Sequence, residues 1–310
     1  MISLKGRDFI SLKDFSKDEI DYILELAFHI KKRHKAGGDN PVLSNRVLAM
    51  IFKKASTRTR IAFEVGMYQL GGSSVFLSPH ETQIGRGEPI EDTARVLSGY
   101  VDAILIRTFD QQEVEDLAKH ASVPVINGLT DLYHPTQIVA DMMTIIEEKG
   151  TLKGINLTYI GDGNNVAHSL LIAGAIMGMN VTIATPECYG VKQEIRELAE
   201  SLKSNPETIL RYVNCPFEGA EDADVLYTDV WASMGQEEEA EGRRTAFSGF
   251  QLNEKVLELA KSDAIVMHCL PAYKGQEISA DVFEKFADVI FSESENRLHA
   301  HKGIMAAVIM

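Results

Sequence analysis

The stretch from Val47 to Val65 reads VLAMIFKKASTRTRIAFEV. Its opening run, Val47 to Phe52, is apolar without polar alternation, the pattern of a strand covered on both faces in a parallel sheet. After a short turn, Ser56-Thr57-Arg58-Thr59-Arg60 packs three hydroxyls and two guanidiniums into consecutive positions that should open a helix. A helix start leaves backbone N–H groups without partners and carries the positive end of the dipole, so a strand, turn and helix of this composition make an anion site. Hydroxyls and a guanidinium add charge-assisted donors. Helical residues advance by about 100°, which sets positions two apart on nearly opposite sides. Arg58 is therefore assigned to the anion and Arg60 to a structural ion pair. On local grounds alone the segment also fits an N-capped helix with two exposed arginines. It is not a P-loop, because GxxxxGK[ST] is absent.

Outward from this unit the same alternation continues. Apolar or β-branched runs at 47–52, 73–78, 103–107 and 123–127 are separated by helix-like segments, and a second series follows at 155–161, 181–185, 209–213, 225–229, 264–269 and a short 287–291. The pattern predicts an α/β protein of two similar-sized domains, each a parallel sheet flanked by helices. The boundary is expected near 147–153, after a helix starting at Pro135, which gives domains at 1–149 and 150–292, with a helical stretch 293–310 returning to the first. Ahead of them a helix is expected over 17–35, with Ser16 and Glu19 as its capping box and Ile20, Ile23, Leu24, Ala27 and Ile30 as its apolar stripe. The basic run Lys31 to Lys35 falls where cations complement the C-terminal end of the dipole, which makes it structural rather than a nucleic-acid patch.

In open parallel sheets ligands bind beyond the C-terminal ends of strands. Arg107 closes one strand, and His134-Pro135-Thr136-Gln137 follows another; Pro135 suits the first helical turn, so His134 and Gln137 share a face. A guanidinium and an imidazole there could polarise a carbonyl oxygen, and Gln137 could bond a neutral amide. In the second half, GDGNNVAHSL (161–170) invites a dinucleotide reading, but Val166 stands where the third glycine belongs and no acidic residue ends the next strand. Asp229 ends a strand before VWASMG (230–235) and a long acidic connection, which is either solvated surface or a lid. Cys269 ends another at His268-Cys269-Leu270-Pro271; with no activating base in view it is not read as a nucleophile. His299-Ala-His301 lacks metal-ligand spacing.

The 310 residues carry a formal net charge of −14, which argues against a nucleic-acid or anionic-membrane surface and requires any bound anion to be held by a local cluster. Three distant cysteines, Cys188, Cys215 and Cys269, give neither a disulfide framework nor a zinc motif. No leader and no run of about 18 apolar residues is present, so a soluble cytoplasmic protein is expected.

Taken in order, STRTR (56–60), HPTQ (134–137), DGNNVAHSL (162–170), DVWASMG (229–235), HCLPA (268–272) and ENRLH (295–299) resemble the aspartate/ornithine carbamoyltransferase family, on its ornithine-using side. The resemblance implies a carbamoyl-phosphate domain and an ornithine domain joined by two helices, in trimers or assemblies of trimers. It implies that Ser56, Thr57, Arg58 and Thr59 hold the phosphate, and that Arg107, His134 and Gln137 bind the carbamoyl group. Cys269, Leu270 and Arg297 complete that end, with a cis Leu270-Pro271 bond. Gln83 belongs to a loop that in this family contacts carbamoyl phosphate, commonly in an adjacent subunit. Asn165, Asp229, Ser233 and Met234 match ornithine-binding positions, and Arg107, His134, Cys269 and Asp229 form the catalytic set. No metal or other cofactor is implied. The implied reaction makes L-citrulline and phosphate, the family's role in arginine biosynthesis, or runs in reverse in catabolism. Putrescine or N-acetylornithine as acceptor is the alternative within the family, and a nicotinamide-dependent dehydrogenase the alternative outside it. Two departures stand out. Lys53 replaces a commonly acidic residue, and Tyr273-Lys274 stand where His-Arg is frequent; neither falls on an assigned position.

Overall fold

The computed structural model describes residues 2–78, 82–233, 235 and 237–310. Backbone contacts divide the chain into two compact units, Met1–Ala140 with Asn296–Met310, and Asp141–Glu295. Each is built on one parallel sheet, as the uninterrupted apolar runs predict. Helices Pro135–Lys149 and Ala287–Ile309 each run through a boundary between units. Among the described residues no helix is long and apolar enough to cross a membrane.

In the first unit the strands are β1 (Val47–Phe52), β2 (Ser73–Leu77), β3 (Ala103–Arg107) and β4 (Val125–Leu129), in the order β2-β1-β3-β4. Ala49, Ile51, Ile104, Ile106 and Val125 join Val114 and Leu117 in one core. Fully burying a side chain of this kind contributes about 1.5–3 kcal/mol. The register pairs Phe52 with Arg107, which fixes Arg107 beside the loop that leaves β1. β4 starts two residues later than the sequence pattern puts it, after Pro124, which has no N–H to give the ladder.

Helix Lys17–Lys35 forms as expected, with the Ser16/Glu19 capping box made in both directions and Ile20, Ile23, Leu24, Ala27 and Ile30 buried. It approaches helix Ala287–Ile309 closely at Gly303, where a β-carbon would lie 2.7 Å from the Ala27 β-carbon. Lys31 Nζ donates to Asn296 Oδ1 at 2.7 Å in the same unit.

The second unit holds β5 (Asn156–Ile160), β6 (Asn180–Ala184), β7 (Leu210–Val213), β8 (Val225–Thr228) and β9 (Ile265–His268), in the order β7-β6-β5-β8-β9. The strand expected at 287–291 is absent: those residues begin helix Ala287–Ile309. A short apolar run cannot tell the two states apart by itself. The helix wins because the buried positions recur three to four apart, at Ile290, Glu293, Asn296, Arg297 and Ala300, a spacing that only a helix puts on one face.

Candidate functional site

The chemistry-bearing residues form two clusters, each within one unit. In the first, Ser56 is the N-cap of helix Thr57–Gln69, and its hydroxyl accepts from the Thr59 N–H at 3.2 Å. The helix start that the sequence predicts is therefore in place beyond β1. Thr59 is fully buried, and its hydroxyl oxygen accepts from Arg297 Nη2 at 2.6 Å and, at the 3.5 Å limit, from Arg107 Nη1. Arg107 Nε donates to the Lys54 carbonyl at 3.2 Å, which ties the end of β3 to the loop after β1. One small hydroxyl thus brings two guanidiniums together beside a helix N-terminus.

His134 is 5% exposed and immediately precedes helix Pro135–Lys149, so its own carbonyl accepts from Gln137 N at 3.2 Å. Burial, with the charges of Arg297 and Arg107 and the neighbouring His301 and Lys54, holds its imidazole well below the usual histidine range. It is neutral at pH 7 and can offer an N–H to a polarised carbonyl without adding a further cation. Gln137 is buried on the same first turn.

The two arginines of the opening stretch separate as their spacing predicts. Arg60 Nε pairs with Glu64 Oε1 at 3.0 Å, and its guanidinium lies 3.6 Å from the centroid of Phe76. The buried Arg58 Nε has no hydrogen-bond partner. Lys53 pairs with Glu113, so the departure at this position is compensated locally. Gln83 stands apart: it is exposed in the short turn Gln83–Arg86, and among the described residues no hydrogen bond joins its side chain to Ser56, Arg107 or His134.

In the second unit the turn after β5 approaches another loop so closely that a β-carbon on Gly163 would lie 2.5 Å from Val191 N. Asn164 caps helix Asn165–Met177, accepting from Val166 N at 2.9 Å and Ala167 N at 3.2 Å. Two of the N–H groups at that helix start are thus engaged by the cap, which adds to the missing third glycine against the dinucleotide reading. Asn164 Nδ2 also donates to Asp229 Oδ2 at 2.9 Å. Asp229 Oδ1 accepts from Val230 N at 2.8 Å and from the Cys269 thiol at 3.1 Å. Burial, then the charges of Asp229 and Glu293, push that thiol well above its ordinary range, so Cys269 is a protonated donor rather than a thiolate.

His268 N donates to the buried Glu293 Oε2 at 2.9 Å, and Tyr227 Oη lies 3.2 Å from Glu293 Oε1 and 3.3 Å from Asp141 Oδ2. Burial and the neighbouring Asp141 raise Glu293 well above the carboxylate range. Leu270 N donates to His268 Nδ1 at 2.9 Å, and the Leu270-Pro271 bond is cis. Among the described residues, Asp229, His268 and Cys269 present ligand atoms within 4.8 Å of one another. His268 Nε2 faces Glu277 Oε1 at 3.1 Å, so both ring nitrogens are taken and neither is free for a metal ion. Ser233 borders a cavity of ≈ 340 Å³ with Trp231, Arg244 and Tyr273. Asn165 is the first residue of its helix, and Met234 lies outside the described residues.

Sequence reasoning missed Asn164 as the direct partner of Asp229, and Arg243, whose Nη1 donates to Asp162 Oδ2 at 2.9 Å. The N-cap position of Asn164 is readable in sequence, but a capping oxygen gives no sign of where the amide nitrogen points. Nothing marks the second, because an arginine within an acidic connection reads as solvated surface.

The family model described as "Aspartate/ornithine carbamoyltransferase, carbamoyl-P binding domain" matches residues 7–147, and "Aspartate/ornithine carbamoyltransferase, Asp/Orn binding domain" matches 153–308. An ornithine carbamoyltransferase of Oceanobacillus iheyensis is 53% identical over 306 residues, 99% of this chain and 95% of its own length. The solved ornithine carbamoyltransferase of Pyrococcus furiosus superposes with a TM-score of 0.96 at 50% identity, covering 100% of this chain and 99% of that one. A solved anabolic ornithine carbamoyltransferase of Campylobacter jejuni gives 0.92 at 42% identity, over 96% of this chain and 97% of that one.

Proposed function

Because the chain belongs to the aspartate/ornithine carbamoyltransferase family, we propose that it transfers the carbamoyl group of carbamoyl phosphate to the δ-amine of L-ornithine, giving L-citrulline and phosphate. The observation that carries this reading is the convergence of Arg107 and Arg297 on Thr59 at the helix start capped by Ser56. It supplies fixed positive groups for a phosphate that must leave. In this reading residues 1–149 and the returning helix 293–310 bind carbamoyl phosphate through Ser56, Thr57, Arg58, Thr59, Arg107, His134, Gln137 and Arg297. Residues 150–292 bind the amino acid through Asn165, Asp229, Ser233 and Met234, with Cys269 and Leu270 at the carbamoyl end.

The neutral δ-amine adds to the carbamoyl carbon, and the resulting oxyanion is stabilised by Arg107 and His134. Collapse breaks the bond to the phosphate oxygen, Arg58 and the helix N-terminus stabilise the charge that leaves with it, and the proton lost by the amine ends on the phosphate. Asp229, already accepting from Asn164 and the Cys269 thiol, orients the amine. A covalent step through Cys269 is unnecessary, since its thiol is held protonated. The test measures citrulline and phosphate with ornithine, putrescine and N-acetylornithine in parallel. Ornithine should be the best acceptor by kcat/KM; if it is the poorest, the specificity assigned here is wrong.

The same family reading includes a trimer or an assembly of trimers, with Gln83 serving a neighbouring copy. Supporting it, β2 is an edge strand, Val75 on it is 48% exposed, and Ile61 and Tyr68 on the adjacent helix are 52% and 79% exposed. Of these, Ile61 borders a cavity of ≈ 550 Å³ together with Ser56, Thr57, Arg60 and Phe76. Exposed apolar surface next to an anion loop is the composition of an interface rather than of a free face. Light scattering at micromolar concentration should return three chains per particle or a multiple of three; a monomer of unaltered activity would remove the role given to Gln83.

A further inference from the structure

Arg243 lies in helix Ala240–Ala246, within the long connection that follows β8, yet it is only 7% exposed. Its Nη1 donates to Asp162 Oδ2 at 2.9 Å and to the Trp231 carbonyl at 3.1 Å, and its Nε donates to Glu239 Oε2 at 3.0 Å. The guanidinium lies 5.0 Å from the centroid of Tyr189. One side chain therefore bridges the turn after β5, which carries Asp162 and Asn164, and the loop after β8, which carries Trp231 and Ser233. Both ends of that bridge adjoin Asp229: Asn164 bonds its carboxylate, and Trp231 follows it by two residues.

We propose that Arg243 is a positioning residue for the amino-acid acceptor, a clasp that holds residues 231–233 against the turn at 162–164 and stays closed only while Asp162 is ionised. The geometry makes the clasp dependent on one carboxylate. With that charge gone, the guanidinium keeps its anionic partner Glu239, whose side chain is 64% exposed, and its hold on the Asp162 turn weakens.

Asp162 is poised for such a change. Burial, its largest influence, outweighs the opposing pull of Arg243, and the nearby Asp229 and Glu239 carboxylates add to it, so its carboxyl titrates at about 6. The charged and titratable groups that face it are Arg243 and Glu239 from the 237–246 segment, Asp229 from the end of β8 and Tyr159 from β5. The sign follows: above about 6 the carboxylate is charged and the clasp closed, and as pH falls through that value the proton opens it.

Trp231 reports on this state directly. It is the chain's one tryptophan, it is 7% exposed, and its ring stacks on Phe247 with centroids 6.0 Å apart. The consequence for the acceptor rests on the carbamoyl-transfer reading, but the clasp does not, so the full chain is titrated first without substrates. Trp231 fluorescence between pH 5 and 8 should show a transition near 6 in the unmodified protein and none in Asp162→Asn. A flat wild-type curve, or the same transition in Asp162→Asn, overturns the proposal. In steady state at pH 7.5, Arg243→Ala and Asp162→Asn should raise the ornithine KM about tenfold, with the carbamoyl phosphate KM within about twofold and Arg243→Lys recovering part of the loss. An unchanged ornithine KM in a variant whose circular dichroism melt matches the wild type also overturns it. Should Arg243→Ala fail to fold, the fluorescence of Asp162→Asn decides. A transition near pH 6 lost in Asp162→Asn, in a protein without carbamoyl transfer, would uphold the clasp and refute the functional reading.

Discussion

Arg58→Ala should lower kcat/KM for carbamoyl phosphate by about 10²–10³-fold, the cost of about 2.7–4 kcal/mol found for removing one donor aimed at developing charge. Thermal stability should hardly change. The reason lies in what this arginine does not do: its buried Nε has no hydrogen-bond partner, so removing the side chain breaks no hydrogen bond at that atom. Arg60→Ala should behave in the opposite sense. It deletes an ion pair with Glu64 and a stack on Phe76, contacts worth a few tenths to about 1 kcal/mol each at exposed sites, and so should act on stability first. Steady-state kinetics beside thermal melts of the two variants separates the roles. Wild-type turnover in Arg58→Ala would defeat the phosphate assignment.

Asp229→Asn should cost about 10- to 150-fold in kcat/KM for ornithine, the equivalent of one hydrogen bond to a charged group at about 1.5–3 kcal/mol. The carboxylate is surrounded by donors: Asn164 Nδ2, the Cys269 thiol and Val230 N all point at it. An amide of the same shape must turn an NH₂ toward one of them, so the exchange both removes the charge and sets donor against donor. Binding of carbamoyl phosphate, assigned mainly to residues of the other unit and on this side only to Cys269 and Leu270, should weaken much less than binding of ornithine. Isothermal titration of each ligand, followed by initial rates, distinguishes the two effects. Equal weakening of both ligands would point to general damage and sink the assignment.

How far the sequence reached depended on whether a signal was local. The capping box at Ser16 and Glu19, the apolar stripe after it and the strand–turn–helix at 47–60 are contiguous patterns, and each fold element followed from its own residues. The 287–291 run misled because its apolar residues were read without the helix that encloses them. Helical angle alone marked Arg60 as a structural residue, and it pairs with Glu64. Thr59 as a shared acceptor could not be read this way, since Arg297 reaches it from 238 positions away. Asn164 was visible as a cap but not as a ligand of Asp229, because a side chain that caps a helix with its oxygen still has an amide to point elsewhere. Arg243 and Asp162, 81 positions apart, left no trace in spacing, and their link exists only in the folded chain.

The first unit is not a continuous stretch of chain. Gly6 N–H donates to the Val308 carbonyl at 2.9 Å, the Lys302 ammonium donates to Gln69 Oε1 at 2.8 Å, and Arg297 completes the group at Thr59. During synthesis, residues up to Ala140 emerge long before these partners exist, and Asp141–Glu295 must be made in between. The unit made second can thus finish folding first, and the unit that begins at the N-terminus waits for it with an uncovered helix face. Ribosome-bound intermediates would carry the anion loop without Arg297, one of the two guanidiniums that meet at Thr59. The stretch translated last, Asn296–Met310, is thus the one that completes the unit translated first.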